Sequence, residues 1–119
     1  MLDNKTFKIV VDSTPLISID ILLKMNDKFL LGKRINKPAQ GYWFLPGGRI
    51  YKNETFKKAM TRIIKDELNI ELKYAPKFIG VYQHFYSDSA YQNVSTHYVN
   101  LAYEYEVNKI GNLPTIQHS

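Results

Sequence analysis

YWFLPGGRIYKNETFKKAMTRIIKDELNI, residues 42–70, joins a short apolar strand and a Pro-Gly-Gly turn to a single strongly helical segment. Phe56, Ala59, Met60, Ile63, Ile64 and Leu68 recur at i, i+3, i+4 and i+7, so residues 55–69 are read as an amphipathic helix. Asn53 or Thr55 can cap its start, Glu54 suits the positive end of its dipole, and Asn69 can close it in a left-handed conformation. At about 100° per residue, Glu67 falls within roughly 20° of Phe56, in the middle of the apolar face. A carboxylate buried there without compensation costs on the order of several kcal/mol. It must meet a cation, a metal or a cluster of donors, unless the last turn frays and leaves it in water. Arg62 and Asp66 lie four residues apart on the adjacent face and are read as an intrahelical ion pair.

Outward from this stretch, LISIDILLKM (16–25) reads as a buried strand, and Asn26-Asp27 as a tight turn into a returning strand, KFLLGKR (28–34). Residues 35–41 read as a loop before an apolar strand expected at 42–45. Residues 77–86 (KFIGVYQHFY) and 96–107 (THYVNLAYEYEV) alternate well enough to be strands, with a turn-rich loop, SDSAYQNVS, between them. NKTFKIVVD (4–12) has mixed periodicity and fits a short helix or a strand, and Ser13-Thr14-Pro15 breaks it. Strands, then a helix, then strands place the chain in the α+β class, with a mixed sheet rather than a doubly wound one. Asp20 is a second charge inside an apolar run: either it faces the interior or it sits at a sheet edge facing water.

The 119 residues suit one domain spanning 1–119, and 45% apolar with 23% charged residues is the balance of a globular chain. With no cysteine, a disulfide scaffold, a thiol nucleophile and a Cys-ligated zinc site are excluded. No apolar run approaches the roughly 18–20 residues of a membrane span, and the first residues lack the apolar core of a secretory signal. No membrane role is therefore expected, and the default compartment is the cytoplasm. The net charge is +5, and thirteen of the sixteen basic residues are Lys. Residues 1–53 hold nine basic and four acidic residues, whereas residues 54–119 hold seven of each. Scattered Lys without an Arg stripe argues against nucleic acid, while a local positive excess fits a small anionic ligand such as a diphosphate.

The opening stretch resembles the Nudix box: Gly, five residues, Glu, seven residues, then Arg-Glu-apolar-any-Glu-Glu-any-Gly-apolar. Gly48, Glu54, Arg62, Ile64, Glu67 and Ile70 match it. Ile63 replaces the Glu after Arg, Asp66 replaces the first Glu of the pair, and Asn69 replaces the Gly. STPLISIDILL (13–23), LLGKRINKPAQGYWFLPGGR (30–49), GVYQHFY (80–86) and THYV (96–99) resemble the GDP-mannose mannosyl hydrolase subfamily. That branch has an incomplete box and breaks a carbon–oxygen bond.

The resemblance implies a Nudix fold, a mixed β-sheet sandwich with the box helix over about 55–69. It also implies Mg²⁺-dependent hydrolysis of GDP-mannose, with GDP-glucose as the nearest variant, to GDP and the free sugar with inversion at the anomeric carbon. One Mg²⁺ per subunit would be held by the Gly47 carbonyl, Glu67 and Gln117, an oxygen set of the kind Mg²⁺ prefers. Arg34 and Arg49 would meet the substrate and its departing diphosphate, and His118 would act as general base. Asp20 would assist sugar binding. His84 and Tyr98 would line the site, or pack in the core. Phe7, with Met1 and Leu2, would lie at the nucleotide, where Phe7 could stack on guanine; core or dimer packing is the competing reading. A homodimer is implied, with an N-terminal segment that can cross between subunits. Chains of that subfamily run past the Gln-His pair into a further strand and a closing helix, whereas this sequence stops at Ser119. A fold lacking the closing C-terminal helix is therefore expected. Two alternatives follow: a truncated nucleotide-sugar binder with little turnover, or a Nudix pyrophosphatase cleaving at phosphorus.

Overall fold

The computed structural model describes residues 2–30, 32–33, 43–87 and 93–108. Helix α1 (Asn4–Ser13) settles the ambiguous first segment as helical. Asp3 caps it, its carboxylate accepting from the Thr6 N–H at 2.7 Å, and Thr14 ends it in extended backbone just before Pro15. Strand β1 (Leu16–Met25) turns through Asn26 and Asp27, both at positive φ, into β2 (Lys28–Phe29). Two consecutive left-handed residues match the right-handed twist of a tight hairpin. Beyond β2 lie β3 (Gly32–Lys33) and β4 (Trp43–Phe44), which pair with each other in a separate two-stranded ladder. The Pro-Gly-Gly turn then feeds a further short strand, β5 (Gly47–Arg49), which sequence periodicity did not disclose.

Helix α2 (Phe56–Leu68) takes Thr55 rather than Asn53 as its cap, the Thr55 hydroxyl accepting from the Lys58 N–H, and Asn69 closes it at φ 55°. Strands β6 (Lys77–Tyr86) and β7 (Thr96–Glu106) complete a five-stranded sheet ordered β2-β1-β7-β6, with β5 paired antiparallel to the first half of β1. The long β1–β7 pairing is parallel, from Leu16 opposite Tyr98 to Lys24 opposite Glu106, so the sheet is mixed.

Alternation along β1 divides the molecule. Ile19, Ile21 and Leu23 point to α2 and pack with Ala59, Met60, Ile63, Ile64 and Leu68, joined by Tyr103 and Tyr105. Each fully buried Ile or Leu there contributes about 1.5–3 kcal/mol. Phe56 does not share this burial: it sits in the first turn, 57% exposed, and the covered face begins at Ala59. On the opposite face of the sheet, α1 packs through Val11 on Leu16 and Val94, flanked by Phe7, Val10 and Tyr98. Ser18 and Asp20 share the parity of Leu16 and lie on that α1 side. Among the described residues no helix is long and apolar enough to cross a membrane.

Candidate functional site

The glycine pair sets the approach of the loop to the sheet and to α2. A Cβ on Gly47 would collide with the Ile19 carbonyl oxygen and reach 3.1 Å from Asp20 Oδ1, so only glycine lets this backbone lie against β1. A Cβ on Gly48 would meet Ile63 Cγ1 at 3.3 Å. The Gly-Gly strand is thereby pressed against the turn of α2 that precedes Glu67.

Arg62 and Glu54 brace this arrangement. The Arg62 Nε–H donates to Glu54 Oε2 at 2.8 Å and its Nη2 to Glu54 Oε1 at 2.9 Å, a two-pronged fork. The same Nη2 donates to the Arg49 carbonyl at 2.8 Å, and the guanidinium lies 3.9 Å above the Tyr51 ring. Glu54 Oε1 also accepts from the Tyr51 N–H at 2.8 Å. The sequence expectation of an Arg62–Asp66 pair is corrected here. A partly buried carboxylate that accepts both prongs of the guanidinium outcompetes an exposed neighbour one helical turn away. The Arg62 fork beside Glu54 draws its carboxyl down to about 2.

Glu67 behaves in the opposite way. It is half-buried on the inward face of α2, and burial together with the charge of Asp66 pushes its carboxyl up to about 7. Both influences oppose a negative charge, and both would be reversed by a cation. Among the described residues no three His, Asp or Glu side chains gather as a metal set. A divalent cation at Glu67 therefore needs other oxygens, and the Gly47 backbone, held close by its missing side chain, lies on the loop packed against the same helix. This oxygen chemistry fits a hard cation.

A polar cluster lies on the α1 side of the sheet. Asp20 is opposite Gly47 in β5, and Ser18 is opposite both Arg49 in β5 and Asn100 in β7. The Asn100 Nδ2 donates to Ser18 Oγ at 2.8 Å, and Asn100 Oδ1 lies 2.8 Å from His84 Nδ1. Burial pushes the Asp20 carboxyl up to about 6, against the pull of His84 and of a hydrogen bond from Asn100. Asp20 therefore faces inward rather than standing at a wet sheet edge. Arg49 lies beside this cluster, its guanidinium 4.2 Å over the Phe7 ring and 5.7 Å from that of Tyr51. Aromatic faces hold the plane of a guanidinium and leave its in-plane N–H groups for an anion.

Of the residues singled out from sequence, Asp20, Arg49, His84 and Phe7 thus lie on the α1 side of the sheet, while Glu67 stands on α2, which packs on the other face. Tyr98 packs with the α1 cluster, and Phe7 offers a face to Arg49. Leu2 is 53% exposed. Met1, Arg34, Gln117 and His118 lie outside the described residues. Sequence reasoning missed Ser18, Tyr51 and Asn100. The signal was faint: polar residues at i and i+2 in an apolar strand (Ser18, Asp20), and one Asn inside the β-branched and aromatic run of β7.

The model of the NUDIX domain matches residues 14–117, and the chain belongs to that family. It is 38% identical over 96 residues to the low-salt glycan biosynthesis protein Agl8 of Haloferax volcanii, a match covering 80% of this chain and 61% of Agl8. It is 37% identical over 68 residues to an ADP-ribose pyrophosphatase of Methanocaldococcus jannaschii, covering 57% of this chain and 40% of that protein. The chain thus spans less than two thirds of either relative. The crystal structure of a MutT NUDIX hydrolase from Burkholderia pseudomallei superimposes with a TM-score of 0.65 at 26% identity, over 87% of this chain and 74% of the other. The curled mixed sheet with a helix on each side is the Nudix fold.

Proposed function

We propose that this chain hydrolyses a GDP-sugar, with GDP-mannose the first candidate, by breaking the bond between the anomeric carbon and the diphosphate oxygen, as a homodimer with one Mg²⁺ per subunit. The observation that carries the reading is Ile63, 1% exposed and packed on Gly48 at the box position that ordinarily holds a glutamate. With Asp66 exposed beside it, Glu67 is the one box carboxylate on the inward face of α2. That supports a single cation at the diphosphate rather than the several that cleavage at phosphorus employs.

Gly47, Glu67 and Gln117 would hold the cation, whose chemistry when bound is to neutralise the diphosphate leaving group. Arg49, oriented by Phe7 and Tyr51, would meet growing negative charge on the same group, with Arg34 as its second fork. A leaving group neutralised in this way departs without the protonating acid that glycosidases use. His118 would take the proton of the attacking water, and Asp20 and His84 would hold the sugar. Attack on the face opposite GDP inverts the anomeric carbon. The relation to a glycan biosynthesis protein supports a sugar nucleotide as substrate.

The relation to an ADP-ribose pyrophosphatase favours a second reading, cleavage at phosphorus with Asp66 in place of the lost glutamate. Incubation with GDP-mannose and Mg²⁺ in ¹⁸O-water separates the two. Free mannose carrying the label, together with unlabelled GDP, is expected. GMP with mannose 1-phosphate, or label in GDP, would overturn carbon–oxygen cleavage.

A further inference from the structure

We propose that Asn100 is a positioning residue that fixes His84 as the Nδ1–H tautomer, leaving His84 Nε2 as an acceptor for a ligand hydroxyl. Asn100 is 7% exposed and stands in β7, while His84 lies in β6 opposite Tyr98, so the amide reaches His84 along the strand diagonal. The Asn100 side chain has one acceptor oxygen and an NH₂ with two donors. Nδ2 donates to Ser18 Oγ at 2.8 Å, and Asp20 stands two residues further along β1 on the same face, where Asn100 pulls its carboxyl down against burial. Exchanging the ends would turn the amide oxygen toward that carboxylate. The oxygen is therefore the end that faces His84, at 2.8 Å from Nδ1.

An acceptor at that distance requires a hydrogen on Nδ1. A neutral imidazole carries a single N–H, so Nε2 keeps its lone pair. An isolated neutral histidine in water favours the other tautomer, which makes this state a mark of the Asn100 contact. His84 itself is exposed, so the edge of the ring away from Asn100 is open to a ligand. A bare ring nitrogen accepts from O–H and repels a phosphate oxygen, which suits a sugar hydroxyl rather than the diphosphate. Only this last step, the sugar as source of the hydroxyl, rests on the GDP-sugar reading.

Long-range ¹H–¹⁵N correlation spectra of the full chain, taken at the alkaline end of a pH series where the ring signals no longer move, read the tautomer directly. His84→Gln identifies its signals. Wild type should show Nδ1–H, Asn100→Leu should revert to Nε2–H, and Asn100→Asp, which keeps an acceptor at the same place, should retain Nδ1–H. Nε2–H in wild type, or Nδ1–H persisting in Asn100→Leu, would overturn the proposal. Should Asn100→Leu not fold, wild type and Asn100→Asp still decide it, since either one in the Nε2–H form contradicts it. With GDP-mannose as substrate, Asn100→Leu should raise KM about tenfold, the loss of one hydrogen bond, with kcat changed less, and Asn100→Asp should recover KM. An unchanged KM beside a reverted tautomer would contradict the hydroxyl role. If GDP-mannose is not turned over at all, the substrate reading fails while the spectra still test Asn100.

Discussion

Glu54 and Glu67 belong to one motif and flank one helix, yet their surroundings drive them to opposite states. Glu54 accepts both prongs of Arg62 and the Tyr51 N–H, and its carboxyl falls to about 2. Glu67 is half-buried on the apolar face beside Asp66, and its carboxyl rises to about 7. A glutamate gripped by an arginine fork braces the loop. A glutamate whose charge burial and Asp66 oppose is suited to receive a cation. Residue identity alone does not separate the two roles; the arginine fork does.

The largest expected effect is at the second of these. Glu67→Gln should lower Mg²⁺-dependent turnover of GDP-mannose at least about a hundredfold, consistent with roughly 3 kcal/mol of lost charge stabilisation. Circular dichroism and the melting curve should stay close to wild type, because a neutral amide is no harder to bury than the charged acid. Turnover within a few-fold of wild type would break the distinction from that side.

Arg62→Ala probes the brace and should act mainly on stability. It leaves Glu54 partly buried with one backbone donor and frees the Arg49 carbonyl, a loss of about 1–3 kcal/mol in denaturant unfolding. Asp66→Asn should change stability by under about 0.5 kcal/mol. A larger loss in Asp66→Asn than in Arg62→Ala would restore the intrahelical pair.

A smaller effect concerns pH. Because the folded state depresses the Glu54 carboxyl, its contribution is present above the ordinary glutamate range and fades as pH falls from about 4.5 toward about 2. Glu54→Gln should therefore be less stable than wild type at neutral pH, with the difference shrinking over that window in urea unfolding. A constant difference down to pH 2 would contradict the fork as its cause.

The sequence disclosed most of the frame through local rules. The Asn26-Asp27 turn, the helix capped by Thr55 and Asn69, and strands 16–25, 77–86 and 96–107 all depend on neighbours a few residues away. The partnership of Arg62 did not follow the same logic. Its helical spacing favours Asp66, but the bond to Glu54 depends on how the loop folds back, which no periodicity encodes. Asn100 was hidden for a stronger reason: it bonds to Ser18, 82 residues away, through a parallel pairing that only the completed sheet creates. Strand β5 reads as a turn because two of its three residues are glycines, and it becomes a strand by pairing with β1. Glu67 was the exception, a proposed cation ligand visible by its wrongness on an apolar face.

The division between the two glutamates is tested most directly by calorimetric titration of Mg²⁺ into wild type, Glu67→Gln and Glu54→Gln at neutral pH. Wild type and Glu54→Gln should bind with similar affinity, and Glu67→Gln should bind at least about tenfold more weakly. Affinity unchanged in Glu67→Gln, or lost in Glu54→Gln while that variant remains folded, would contradict the assignment.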